Sequence, residues 1–151
     1  SYALADYLIA TYQCPATQCS VTPLDTPKSI SKELQILWNT QTREKLKIDS
    51  NVEIFCYAGA LQSWQCPEKI FSLFKKVHEK NSRTLLLILT QEVQYAEKLA
   101  HNHDITSAII RILHAPHHEI PQYLAAAQYG IIIRDPDIIN WVSRPSKALE
   151  Y

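Results

Sequence analysis

Apolar positions along the chain fall into two alternating rhythms. Runs of strand length, rich in β-branched and aromatic residues, occur at 52–58, 84–90, 107–113 and 130–133. Between them lie helical stripes. Pro67 opens a helix with Ile70, Leu73, Phe74 and Val77 at i, i+3, i+4 and i+7. Residues 91–101 place Val93, Ala96, Leu99 and Ala100 on one side, 121–128 form an alanine-rich helix, and another helix begins near Pro145. Ahead of this regular part, 2–12 read as a short helix broken at Cys14-Pro15, and 19–22 as a short strand closed by Pro23. A loop follows over 22–27. Ser29 or Ser31 then caps a helix running to about Leu46, with Leu34, Leu37, Trp38 and Leu46 on its apolar side.

Strand and helix alternating at this spacing imply βαβ crossovers, a parallel sheet and a doubly wound, Rossmann-like α/β domain. The run at 84–90 is continuously apolar, as a parallel strand covered on both faces should be. At 151 residues the chain is long enough for one domain with a substantial core. The apolar runs at 85–89 and 129–133 are strand-sized, well short of the roughly 18 residues of a membrane span. The chain starts at Ser1, contains no Met, and stops about one and a half turns into its last helix, so an excised piece of a longer protein is expected.

Fifteen basic residues balance fifteen acidic ones, which excludes a strongly basic nucleic-acid binder and a disordered tail. Glycine changes the picture more. The only two are Gly59 and Gly130, where average usage gives roughly ten. Neither G-x-G-x-x-G nor the P-loop pattern can be written with them, so a nucleotide must be held without a glycine-rich cradle. Cys14, Cys19, Cys56 and Cys66 have no C-x-x-C spacing, and free thiols in a reducing compartment are expected.

In open parallel sheets ligands sit beyond the carboxyl ends of the strands, where helix N-termini also point. The loops to inspect are therefore 58–66, 91–92, 114–121 and 134–145. The last is the richest, with Arg134, Asp135, Asp137, Asn140, Ser143 and Arg144, followed by Lys147 and Glu150 on one face of the next helix. That pair has two readings. It is either an i, i+3 surface ion pair, or a cation for a phosphate beside a carboxylate for two vicinal hydroxyls. His101, His103, His114, His117 and His118 have spacings reminiscent of zinc sites, but no cysteine lies near in sequence, and solvated loop histidines are expected. Trp64 is read as cover for the core, with stacking on a ligand as the alternative. Cys66 stands at a helix N-terminus without an adjacent base, so a nucleophile is not expected there. Asp135-Pro-Asp137 is read as a turn.

Several of these segments carry a family resemblance. Phe55-Cys-Tyr-Ala-Gly-Ala-Leu61, Trp64-Gln-Cys-Pro-Glu68, the strand at 85–89 and the stretch 118–127 resemble the donor-binding domain of GT-B fold glycosyltransferases. The most specific part, Tyr129-Gly-Ile-Ile-Ile-Arg134 through Asn140-Trp-Val-Ser-Arg-Pro-Ser-Lys-Ala-Leu-Glu-Tyr151, is similar to a signature of bacterial group 1 enzymes of the family 4 type that build surface polysaccharides. The resemblance implies that 1–25 are an interdomain helix and lead-in strand, and that 26–151 are a single GT-B half-domain, truncated at its C-terminal end. It implies a nucleoside-diphosphate sugar as substrate, with no cofactor and no metal. Donor-binding positions would be Gly59, Arg134, Asn140, Ser143, Lys147 and Glu150: the carboxylate on the ribose hydroxyls, the basic groups and helix-end amides on the diphosphate. Retention of configuration is expected from the family alone. The chain departs from the broader family at Ala60, where an arginine is usual, and at Val142, eight before Glu150, where a second glutamate is usual. The partner implied is an N-terminal acceptor domain of the same chain, which supplies any catalytic base and any membrane contact, and the location implied is cytoplasmic. With no nucleic-acid partner, the competing reading is a non-catalytic α/β binding or interaction domain.

Overall fold

The structure is a computed structural model describing residues 1–22, 29–143 and 147–151. The loop read at 22–27 and the helix start at Arg144-Pro145 fall largely outside the described residues. Helix α1 (Tyr2–Tyr12) and α2 (Lys32–Leu46) precede β1 (Glu53–Ala58), α3 (Pro67–Lys80), β2 (Thr84–Leu89), α4 (Val93–Asn102), β3 (Ile110–Leu113), α5 (Ile120–Leu124), β4 (Tyr129–Gly130), α6 (Ile138–Val142) and α7 (Lys147–Glu150). The four strands form one parallel sheet in the order β3-β2-β1-β4. Helices flank it on both faces, as expected of a doubly wound domain.

Strand alternation divides the core in two. Tyr57, Leu86 and Ile88 face Ile70, Phe71 and Phe74 of α3 and Ala96, Leu99 and Ala100 of α4. Ile54, Cys56, Leu85, Leu87 and Leu89 face the other way, toward Ile48, Tyr123 and Ala126. All six residues of β2 are buried. On α3 the buried set is Pro67, Ile70, Phe71 and Phe74, whereas Leu73 is exposed, so the stripe lies one residue away from its expected centre.

Helix α2 begins at the expected Ser31, whose hydroxyl accepts from the Leu34 amide at 3.3 Å. Of its expected apolar side, Leu46 packs against the core and Trp38 is half-buried. Leu34 and Leu37 are exposed, and the buried residues are Thr42 and Arg43. The polar side chains hold the chain end of α5 instead. Asn39 donates to the Ala125 carbonyl at 3.0 Å, Thr42 to Gln122 at 3.1 Å, and Arg43 to Ala126 at 3.2 Å. Arg43 also donates to the carbonyls of Asp49 (2.8 Å) and Val52 (3.0 Å) and to Asn39 and Gln128. Each of the five guanidinium N–H groups can thus be used, which is what allows a charged side chain to lie inside.

The residues 19–22 form no strand; a 3-10 turn, Ala16–Gln18, precedes irregular chain. Among the described residues the sheet holds only β1 to β4, so this segment pairs with none of them, and an isolated strand would leave its amides and carbonyls unpaired. Helix α5 ends at Leu124, because the carbonyls that follow are taken by α2 and Gln128 must reach β1, where its amide donates to Ile54 at 3.0 Å. Strand β3 starts only at Ile110. Strand β4 is short because the next β1 donor, the Ala58 amide, goes to the Tyr151 hydroxyl at 3.1 Å. Helix α6 lies within the expected loop, capped by Asp137, whose carboxylate accepts from the Asn140 amide at 2.8 Å. It packs on α1, where the Ser1 hydroxyl donates to the Val142 carbonyl. All four cysteines are free thiols. Among the described residues no helix is long and apolar enough to cross a membrane.

Candidate functional site

Beyond the carboxyl end of β1 the chain turns at Gly59, whose φ of +139° belongs to glycine and whose amide donates to the Leu89 carbonyl at 2.8 Å. A Cβ here would stand 2.7 Å from both Cε and Nζ of Lys147. The absent side chain is therefore the space that the lysine fills. Lys147 Nζ lies 4.2 Å from the centre of the Tyr57 ring and donates to the Tyr57 hydroxyl at 3.0 Å and to Gln65 Oε1 at 3.1 Å. Burial, reinforced by the nearby Arg134 charge and opposed by Glu150, brings its pKa down to about 8.

Lys147 and Glu150 do not meet as the i, i+3 surface pair. Among the described residues no ion pair joins them; the lysine turns inward and Glu150 stays exposed. Arg134 gathers two more of the expected residues. Its Nη1 donates to Ser143 Oγ at 2.6 Å and to Asn140 Oδ1 at 3.3 Å, while its Nε is buried with no hydrogen-bond partner among the described residues. Asn140 in turn donates to the Asp135 carbonyl at 2.8 Å. Gly59 with Lys147, and Arg134 with Asn140 and Ser143, are thus two local clusters linked by the field between their cations.

The Asp135 turn is tied to α3. Its carboxylate pairs with Lys69 and accepts from Cys66 Sγ at 3.3 Å. The Lys69 hydrogen bond, then the Cys66 one, holds that carboxyl below the usual range. Burial first, then Asp135, pushes the Cys66 thiol up, which disfavours the nucleophilic thiolate. Trp64 does not cover the core: it sits in a 3-10 turn, Ser63–Gln65, with 56% of its surface exposed, while the flanking Leu61 and Cys66 are buried.

A cleft of ≈ 290 Å³ opens beside Gly59, between the ends of β1, β2 and β3, lined by Ala60, Thr90, Glu92, His114 and His117. Glu92 accepts from the Thr90 hydroxyl at 2.7 Å and from Gln62 at 3.2 Å, and the Thr90 bond is the main cause of its lowered pKa. His103 instead bonds Glu68 at 2.7 Å, away from this cleft. Among the described residues no three His, Cys, Asp or Glu side chains converge as a metal site. Sequence reasoning missed Tyr57, Gln65 and Glu92. The available signal was a phenol inside an apolar strand, since a buried hydroxyl has to find a partner.

The fold is an open parallel α/β sheet with Lys147 and Arg134 at its carboxyl edge, where ligands of such sheets sit. The sequence model for the family described as "Glycosyl transferases group 1" matches residues 39–131, more than half of the chain. The chain belongs to this family, and its role is glycosyl transfer. No curated protein matches it. The matched span contains Gly59, whereas Arg134, Asn140, Ser143, Lys147 and Glu150 lie beyond it.

Proposed function

We propose that this chain is the donor-binding, C-terminal half of a retaining family 4 type glycosyltransferase that takes a sugar from a nucleoside diphosphate for bacterial polysaccharide synthesis. The observation that supports this most is the pair of half-buried cations with no carboxylate paired to either among the described residues. Lys147 uses two of its three N–H donors on Tyr57 and Gln65, and Arg134 keeps a buried Nε without an acceptor among the described residues. Burial and the Arg134 charge lower the proton affinity of Lys147, and a diphosphate would relieve that cost.

In this reading the Lys147 ammonium and the Arg134 guanidinium donate to oxygens of the diphosphate and stabilise it as the glycosyl–oxygen bond breaks. Asn140 and Ser143 hold the guanidinium in place. Gly59 allows the ligand to approach the end of β1. The exposed Glu150 carboxylate accepts hydrogen bonds from the vicinal ribose hydroxyls. No metal or cofactor is invoked. The acceptor, any catalytic base and any contact with the inner face of the membrane belong to a second, N-terminal domain across the cleft, with 1–25 as the connection, so the 151 residues alone bind donor and transfer nothing.

Calorimetric titration with UDP, GDP and other nucleotides tests the reading. Binding of a nucleoside diphosphate that weakens in Glu150→Ala supports it. No binding, or binding indifferent to that substitution, favours a non-catalytic interaction domain.

A further inference from the structure

The part of this site that no expectation covered is the residue beneath Lys147. Tyr57 is the last-but-one residue of β1 and is 1% exposed, yet its hydroxyl reaches the surface loop. It donates to the Ala60 carbonyl at 2.5 Å. An ammonium has only donors, so the bond between Lys147 Nζ and the same hydroxyl runs the other way, with the phenol oxygen accepting. The directions are mutually fixed: the phenol proton is committed to the turn and its lone pair to the lysine. The ring face under Nζ adds a cation–π contact. Burial and the Glu92 carboxylate push the phenol pKa up, so it stays protonated and keeps this direction.

We infer that Tyr57 is a positioning residue of the donor site, its hydroxyl pinning the Lys147 ammonium to the Gly59–Ala60 turn and leaving one N–H for an anionic ligand. The inference rests on the reading of Lys147 as a diphosphate ligand. Ala60 makes it sharper, since the turn offers no cation of its own and the charge beside Gly59 comes from α7. A packing role alone would need only a phenyl ring. The hydroxyl is what couples the loop after β1 to a helix 90 residues later.

The test uses isotope-labelled lysine in the 151-residue protein, with the Lys147 signal assigned by Lys147→Arg. In wild type the Lys147 side-chain protons are expected upfield of other lysines, under the ring; an ordinary shift overturns the inference without any variant at position 57. In Tyr57→Phe the amine swings into water and its titration rises by about two units toward the solvated value. An unchanged or lower titration midpoint shows that the lysine stays without the hydroxyl, and overturns the inference. UDP titration is the separate arm. Wild type that binds UDP, with Tyr57→Phe about tenfold weaker, agrees with loss of one bond to a charged group, and equal affinity speaks against it. If wild type binds no nucleotide, the donor reading fails, while the lysine titration still decides what Tyr57 does.

Discussion

Strand β2 is buried at all six residues and pairs along its whole length with β1, whereas both residues of β4 are exposed and only two register pairs join it to β1. The contrast extends to what surrounds them. Leu86, Leu87 and Ile88 are completely covered by apolar side chains, while 134–143 and α7 are held largely by polar contacts of Arg134, Asp135, Asn140 and Lys147. One region gains its order from removing hydrocarbon from water, the other from matching donors to acceptors. Among the described residues the one buried side-chain donor without a partner, Arg134 Nε, lies in the second, and a binding site needs unused donors.

Substitutions can break this contrast in graded steps. The largest effect belongs to the apolar half: Phe74→Ala, at a fully buried position, is expected to cost about 3–5 kcal/mol in urea unfolding with an unchanged slope. Arg43→Met comes next. It removes the guanidinium donor from the Asp49, Val52 and Ala126 carbonyls, of which Asp49 keeps the Val52 amide and Ala126 keeps Gln128, and a loss of about 2–4 kcal/mol is expected. A loss under about 0.5 kcal/mol would mean that water reaches those carbonyls.

At the polar half the sign reverses. Lys147→Met removes a desolvated charge and is expected to stabilise the fold on the order of 1 kcal/mol, the penalty being discounted for the part of the side chain still in water. The same change should abolish the response of UDP affinity to pH. The folded pKa of Lys147 is lowered from 10.5 to about 8, so the folded protein holds fewer protons than the unfolded chain between those values. Its penalty on stability is full below pH 8 and is relieved as pH rises toward 10.5. Ligand binding responds in the opposite sense: an anion needs the ammonium, so affinity should fall as pH rises through about 8. The smallest effect is expected at Trp141→Ser, where 75% of the side chain's residue surface is exposed; melting should shift by less than about 0.5 kcal/mol equivalent.

The same division explains what the amino-acid pattern disclosed. Elements α3, β2 and α4 follow from apolar periodicity because hydrocarbon burial is what makes them. Helix α2 was legible as a helix, but of its packed face only the Leu46 end was, since Thr42 and Arg43 are buried, and Asn39 half-buried, through hydrogen bonds to carbonyls that are far away in sequence. The short β4 and the missing strand at 19–22 depend on which neighbours are present to accept backbone hydrogen bonds, and periodicity carries no such information. The clustering of Arg134 with Asn140 and Ser143 was legible as a dense run of polar residues in one loop. The inward turn of Lys147 was not, because it depends on Gly59 and Tyr57, some 90 residues earlier.

Tyr151 lies across Gly130, where any Cβ would run into its ring, and its hydroxyl receives the Ala58 amide. That amide is the proton of β1 shielded by a side chain of the terminal segment and not by a neighbouring strand. Its exchange with solvent deuterium therefore times the departure of Tyr151 separately from the opening of the sheet, and Gly130→Ala should speed exchange at Ala58 while leaving the β2 amides slow.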